Sequence, residues 1–308
     1  MTVNRPITIV VPVYGDWPSL NDCIESLKAN LNPKLHKVLL VNDCGPDADS
    51  IESNVKKVID KFDNFEYHRN KKNLGFIGTC NRAVFKLDKT DNDILLLNSD
   101  TIVTSGFIEE MSGVLYESSK NGAVSPRSNN ATLATIPLSA AAQKGLDPKE
   151  SYRIYKKIKS KLPRSTVVPV AHGFCILIKR DLIKKYGLFD EVFGKGYGEE
   201  VDFCLRIKNK GYLSLLANWA YVFHLEARSF SIDTKNKYLE KNNKIIWTRY
   251  PDYRQLVREY MEKAIVRETA IEKSAWLGAM LVLSAMLKTA VKRNKTVSRI
   301  IRKLIKRT

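Results

Sequence analysis

The segment Phe193 to Arg206 (FGKGYGEEVDFCLR) places three carboxylates, Glu199, Glu200 and Asp202, directly after glycines at 194, 196 and 198. A carboxylate beside a flexible loop can act as a general base toward a hydroxyl group. The competing account is a helix start, because acidic side chains suit the dipole of a first turn. Three of them exceed what a cap requires. A second segment, Leu95 to Thr101 (LLLNSDT), runs an apolar strand into Asp100. A hard oxygen ligand there suits a divalent cation that bridges two phosphates and offsets charge growing on a leaving group. Asp100 could equally cap a helix beginning near Thr104. In a third segment, Asn42-Asp43 ends an apolar run with a carboxylate able to accept hydrogen bonds from a ribose or a base. Aspartate after a strand is also a common turn residue.

These segments need a scaffold that brings them to one edge. Ile7 to Val13, Val38 to Val41, Phe65 to His68 and Ile94 to Leu97 are short apolar runs that read as buried strands. Between them Pro18 to Ala29, Asp47 to Phe62 and Phe76 to Leu87 carry helical spacing. Strands alternating with helices predict a parallel α/β sheet, whose ligand lies beyond the carboxyl ends of the strands. Tyr14-Gly15-Asp16, Asn42-Asp43 and Asn98-Ser99-Asp100 all fall at that edge. Residues 128–168 read as an insertion over the site. Val170 to Ile178 is strand-like, Glu199 to Lys208 is a short helix, and Leu213 to Ala217 and Ala220 to Phe223 are two further strands, the second ending at His224. From Tyr253 onward the spacing is helical.

The ordered set VPVYG, VND, NLGF, LLLNSDT, HGFCILIKR, GLFDEVFGKGYGEEVDFCLR and VFH resembles glycosyltransferase family 2, and more narrowly its branch of bacterial rhamnosyltransferases of O-antigen and related surface polysaccharides. The resemblance runs from about Ile7 to about His224. It implies a GT-A fold: a mixed, mostly parallel central sheet flanked by helices. Residues 1–250 would form the catalytic domain, with a nucleotide-sugar half (1–127) and an acceptor half (128–250), followed by a helical extension over 251–308. By position, Val13, Tyr14 and Asp43 would line the nucleoside pocket. Asn73 and Gly75 would lie near base and ribose, with Asn81 on the helix behind. Asn98, Ser99 and Asp100 occupy the Asp-x-Asp position, with Asn98 in place of the first acid. Asp100 and His224 would hold a divalent cation, Mn2+ or Mg2+. Glu200 is the implied general base, with Glu199 and Asp202 as alternatives. His172, Gly173 and Glu199 would border the acceptor and donor sugar, although a satisfied buried histidine is as good an account of His172. The implied reaction is inverting transfer from dTDP-rhamnose or a UDP-sugar to a saccharide acceptor carried on a polyprenyl diphosphate.

The chain has 308 residues, 44% of them hydrophobic, enough for a sizeable core, and 27% charged. Its net charge of +18 is unevenly spread, because ten basic and no acidic residues lie from Lys273 onward. No helix-turn-helix, zinc finger or RNA-recognition motif accompanies that charge, so nucleic acid is not an expected partner. No Gly-x-Gly-x-x-Gly follows the first strand, which argues against a dehydrogenase. An inactive nucleotide-sugar-binding module is the remaining rival, and the presence of Asp100, Glu200 and His224 argues against it. Five scattered cysteines point to a reducing compartment. In residues 275–308 an apolar run too short to span a bilayer precedes an amphipathic basic helix, with Val297, Ile300, Ile301, Leu304 and Ile305 on one face. That pattern suits an anionic membrane surface; a helix packed on the catalytic domain or a dimerisation helix are the alternatives. The expected location is the cytoplasmic face of the cell membrane. Nothing in the sequence indicates an oligomeric state.

Overall fold

The computed structural model describes residues 5–136, 147–225 and 232–274. The first half follows the expected alternation: β1 (Ile7–Val13), α1 (Trp17–Asn30), β2 (Lys37–Asn42), α2 (Ala48–Ile59), β3 (Phe65–Arg69), α3 (Gly75–Arg82) and β4 (Asp93–Leu97). Side chains alternate across β1. Ile7, Ile9, Val11 and Val13 join one apolar layer with α1 and α2, while Val10 faces the other with Ile77 and Val84. Both faces of the sheet are therefore covered, which is why these strands read as continuous apolar runs. α3 stops earlier than its spacing suggests, and Ala83–Leu87 continue as a π-helical turn.

The second half is β5 (Thr101–Val103), α4 (Phe107–Tyr116), β6 (Asn121–Arg127), α5 (Pro148–Ile158), β7 (Ser165–Val168), β8 (Cys175–Ile178), α6 (Arg180–Tyr186), α7 (Glu199–Lys208), β9 (Leu213–His224), α8 (Ile232–Arg249) and α9 (Tyr253–Ser274). The sheet order is β3-β2-β1-β4-β8-β6-β9-β5, with β7 also paired to β9. β1 to β4 pair in parallel, whereas β8 is antiparallel to both β4 and β6. The result is a GT-A α/β fold with a mixed sheet.

Four expectations change. Leu213 to Phe223 is one strand, not two, and β6 follows it through a register shift between Pro126 and Arg127. The strand expected over 170–178 begins only at Cys175. Ser165–Val168, inside the segment read as an insertion, is a sheet strand on β9. Asp100 caps no helix near Thr104: Thr101–Val103 is a strand, and α4 starts later, with Gly106 as its cap.

α9 lies on the sheet. Tyr253, Leu256, Val257, Tyr260 and Met261 pack against the second apolar layer. Glu268 forms an ion pair with Arg127 of β6 at 2.6 Å, both side chains fully buried. Arg127 Nε also donates to Asn218 Oδ1 at 2.7 Å. Residues 275–308, where the membrane-facing helix was expected, lie outside the described residues. Among the described residues no helix is long and apolar enough to cross a membrane.

Candidate active site

β1 and β2 run in register, Val13 opposite Asn42, so the loops that follow them meet. The Asp43 N–H donates to the Val13 carbonyl at 2.8 Å. A Cβ on Gly45 would sit 2.6 Å from the Tyr14 carbonyl oxygen, so only glycine allows this approach. The Tyr14 ring remains 39% exposed at the sheet edge. Asp43 itself is buried, and its Oδ1 accepts from Asn70 Nδ2 at 2.8 Å and from the Leu74 N–H at 2.7 Å. Asn73 Nδ2 donates to the Asp43 carbonyl at 3.4 Å.

Asn70 was not singled out from the sequence. It donates to Thr79 Oγ1 and accepts from Arg82, so it ties Asp43 to α3. Its place directly after β3, at the same edge as Asp43, was the available signal. Gly75 adopts φ +74°, and a Cβ there would meet Lys195 Cα at 3.0 Å. The glycine-rich loop thus rests on the start of α3. Asn81 serves a different role: its amide donates to the Phe189 carbonyl and accepts from the Phe189 N–H. It clamps α3 to the loop after α6, which places its amide behind the pocket.

The second group forms where β5 pairs with β9. Thr101 lies opposite His224, and this register brings Asp100 Oδ1 within 3.6 Å of His224 Nε2. His224 Nδ1 lies 2.7 Å from the Asn130 carbonyl. A carbonyl only accepts, so Nδ1 carries a proton and Nε2 is the nitrogen that faces Asp100. Asn129 holds the His224 backbone on both sides, accepting from its N–H and donating to its carbonyl, each at 2.9 Å. An imidazole nitrogen and a carboxylate oxygen facing one space are donors that Mn2+ or Mg2+ accepts. No group of three or more His, Cys, Asp or Glu able to hold a metal occurs among the described residues. Two protein ligands suffice for an ion that keeps waters and binds substrate phosphates. Asn98 and Ser99 are half-buried beside Asp100. The Asn98 N–H donates to the Phe174 carbonyl at 2.9 Å.

The third group is the start of α7. Glu199 is buried, and one carboxylate oxygen of each of Glu199 and Glu200 is buried with no hydrogen-bond partner. Burial raises the Glu200 carboxyl above its ordinary range. Glu199 is raised well above it, first by burial and then by the neighbouring Glu200 charge. Burial thus disfavours charge on both carboxyls, which suits the pair to taking up a proton. Asp202 is committed elsewhere, accepting from Arg249 at 2.8 Å, Tyr250 at 3.0 Å and Arg206 at 3.3 Å. That network removes it as an alternative base.

Two consecutive residues join the second and third groups. A Cβ on Gly173 would meet Glu200 Cγ at 3.3 Å, and the Phe174 ring stacks on the His224 ring at 5.0 Å. The His172 ring meets the Phe174 ring edge-on, at 5.4 Å. Burial first, and then the His224 charge, lower its pKa to about 4.

Residues 8–187, more than half of the chain, match the model of Glycosyl transferase family 2. The chain belongs to glycosyltransferase family 2. This glycosyltransferase is similar in fold to a mannosyltransferase from Pyrobaculum calidifontis, PcManGT, described in complex with GDP-Man and Mn2+. The TM-score is 0.59 at 14% identity, over 96% of this chain and 83% of that one. It is similar too to GalNAc-T7, described with UDP, GalNAc and Mn2+, with TM-score 0.59 at 12% identity, over 86% of this chain and 56% of that one. No curated protein matches the chain. The family match ends before Glu199, Glu200 and His224.

Proposed function

We propose that this protein is an inverting, metal-dependent glycosyltransferase that moves a sugar from a nucleoside-diphosphate donor to an acceptor hydroxyl. The observation that carries the reading is the Gly173-Phe174 junction, which sets Glu200 and His224 on either side of one short segment. Asp43, Asn73 and the exposed Tyr14 ring receive the nucleoside, the ring offering a face on which a base can stack. Asn98 and Ser99 border the diphosphate. Asp100 and His224 would hold Mn2+ or Mg2+, which when bound supplies positive charge against the diphosphate. The Mn2+ described with both structural neighbours supports this.

Glu200 takes the proton from the acceptor hydroxyl. The acceptor oxygen then bonds to the anomeric carbon as the bond from that carbon to the phosphate oxygen breaks, and the electron pair leaves with the nucleoside diphosphate. Attack from the face opposite the leaving group inverts the anomeric centre. His172, neutral at ordinary pH, borders the sugars as a hydrogen-bonding group.

The resemblance seen in the sequence extends the proposal. The donor is dTDP-rhamnose or a UDP-sugar, and the acceptor is a polyprenyl-diphosphate-linked saccharide of surface-polysaccharide synthesis. Residues 275–308 attach the enzyme to the cytoplasmic face of the membrane. The structural neighbours carry different bases, guanine and uracil, so the fold does not select the base. The test is a donor screen. UDP-, dTDP- and GDP-sugars are offered with Mn2+ or Mg2+ to the full-length protein, and nucleoside diphosphate release is measured with and without EDTA. Release from one donor, abolished by EDTA, is expected. Absence of both release and binding for every donor would rule out the reading, whereas release that survives EDTA would remove the metal.

A further inference from the structure

We infer that Asn242 of α8 is a positioning residue for transfer: its amide fixes the loop from Phe193 to Gly198 in the conformation that presents Glu200 beside Gly173 and lays Lys195 on the start of α3. The inference rests on the reading of Glu200 as base. Asn242 is 1% exposed. The two hydrogens of its Nδ2 serve three loop carbonyls, one of them shared: Phe193 at 2.9 Å, Gly196 at 2.8 Å and Tyr197 at 2.8 Å.

The loop needs such a brace. Gly194, Gly196, Tyr197 and Gly198 take φ of +68°, +139°, +71° and +104°. Tyr197 does so despite its side chain, a conformation that local sterics oppose. Gly198 is the cap residue of α7 and has no side chain with which to bond the first turn. The carboxyls accept from backbone N–H groups of the loop and first turn, Glu199 from Tyr197 and itself and Glu200 from Gly198, Val201 and itself, so their orientation follows that of the loop. Rotating the Asn242 amide by half a turn would bring its oxygen against the three carbonyls, so the donor assignment follows from the acceptors around it. Its own oxygen is buried without a partner. A residue needed only for packing would carry no such orphaned atom, since an apolar side chain of similar size would fill the space at lower cost. The amide is retained for its donors.

The bonds that shape the nucleoside pocket at Asp43 come from Asn70 and the Leu74 N–H and not from the clamped loop, although Lys195 of that loop lies against Gly75. Loss of the clamp should therefore slow transfer and leave nucleotide affinity in place. The experiment uses the full-length protein, with Asn242→Leu, Asn242→Ala and, as a second route to the same loop, Gly196→Ala. Lys241→Ala, one residue away and exposed, serves as control. Steady-state kcat is measured with the donor from the screen, and the Kd of its nucleoside diphosphate is measured by calorimetry. Misplacing a catalytic group by about 1 Å costs on the order of 100-fold. The expected result is a kcat loss of that order in the Asn242 variants and in Gly196→Ala, with Kd within about twofold of wild type. Unchanged kcat in a folded Asn242→Leu protein overturns the inference while the wild-type activity upholds the reading of Glu200. If the Asn242 variants fail to fold, unchanged kcat in Gly196→Ala overturns it. A wild-type protein that binds no nucleotide overturns both.

Discussion

Gly173 lies against Glu200 with no room for a side chain between them: an added Cβ would meet Glu200 Cγ at 3.3 Å and Cδ at 3.4 Å. Contacts that tight require the carboxylate to give way by a few tenths of an ångström. Gly173→Ala is expected to fold and to lose roughly threefold to tenfold in kcat, scaled from about 100-fold for 1 Å. Gly173→Val should lose more. Steady-state rates of the two variants check the order, and equal rates for all three proteins would separate position 173 from the base.

Glu200→Gln keeps the volume of the side chain and removes the proton acceptor. Transfer is expected to fall by about 100- to 10,000-fold, with nucleoside diphosphate affinity retained. Glu199→Gln should be milder, because burial already disfavours the charge that the substitution removes. Near-normal turnover by Glu200→Gln would reassign the base.

The buried pair also fixes a pH dependence. The groups facing Glu200 are Glu199 beside it, Cys204 one turn along α7 and Tyr253 of α9. With Glu200 raised by burial, the acidic limb of kcat/KM should lie above the ordinary glutamate value of about 4.3. Stability should follow the same sign. Both carboxyls ionise more easily in the unfolded chain, so their contribution is intact below about pH 4.3 and is lost as pH rises through the raised folded values. Glu199→Gln should therefore raise Tm more at pH 8 than at pH 5. Melting curves at the two pH values decide it; an equal gain at both would point to packing instead.

Asn129 holds His224 by its backbone, and the adjacent Asn130 carbonyl holds its ring. Removing such outer partners costs metal sites about 10- to 100-fold in affinity. Asn129→Ala is expected to raise the Mn2+ concentration for half-maximal activity by that order, with kcat at saturating Mn2+ closer to wild type. A Mn2+ titration of initial rates tests this, and an unchanged midpoint would make Asn129 a scaffold residue only.

The first half of the fold was legible because its strands are buried on both faces and its helices are amphipathic, so period alone marks them. Asp43 and Asp100 could be named as candidates because each follows a strand at the ligand edge, whereas Glu200 was chosen from its acidic neighbours by the family resemblance. The β9 strand was misread as two because Asn218 and Trp219 interrupt its apolar pattern. In the fold Asn218 is fully buried, bonded to Arg127, Pro163 and Thr166. Asn70, Asn129 and Asn242 were invisible for a related reason. An isolated asparagine carries no period, and its role is set by which carbonyls the tertiary fold brings to its amide.

Glu268→Gln should show how firmly α9 is seated. Breaking one partner of a fully buried ion pair costs about 3–5 kcal/mol, because the other charge is left uncompensated. A large drop in Tm is expected, together with loss of transfer at temperatures where the wild type is stable. Glu268→Gln melting within about 1 °C of wild type would count against it.

The same pair spans 141 residues of sequence. At a synthesis rate of about 5–20 residues per second, the guanidinium of Arg127 waits roughly 7–28 s for its carboxylate. During that interval β8 and β9 are made and take their places in the sheet, all while that charge is unpaired. The last described helix is then the one that neutralises it.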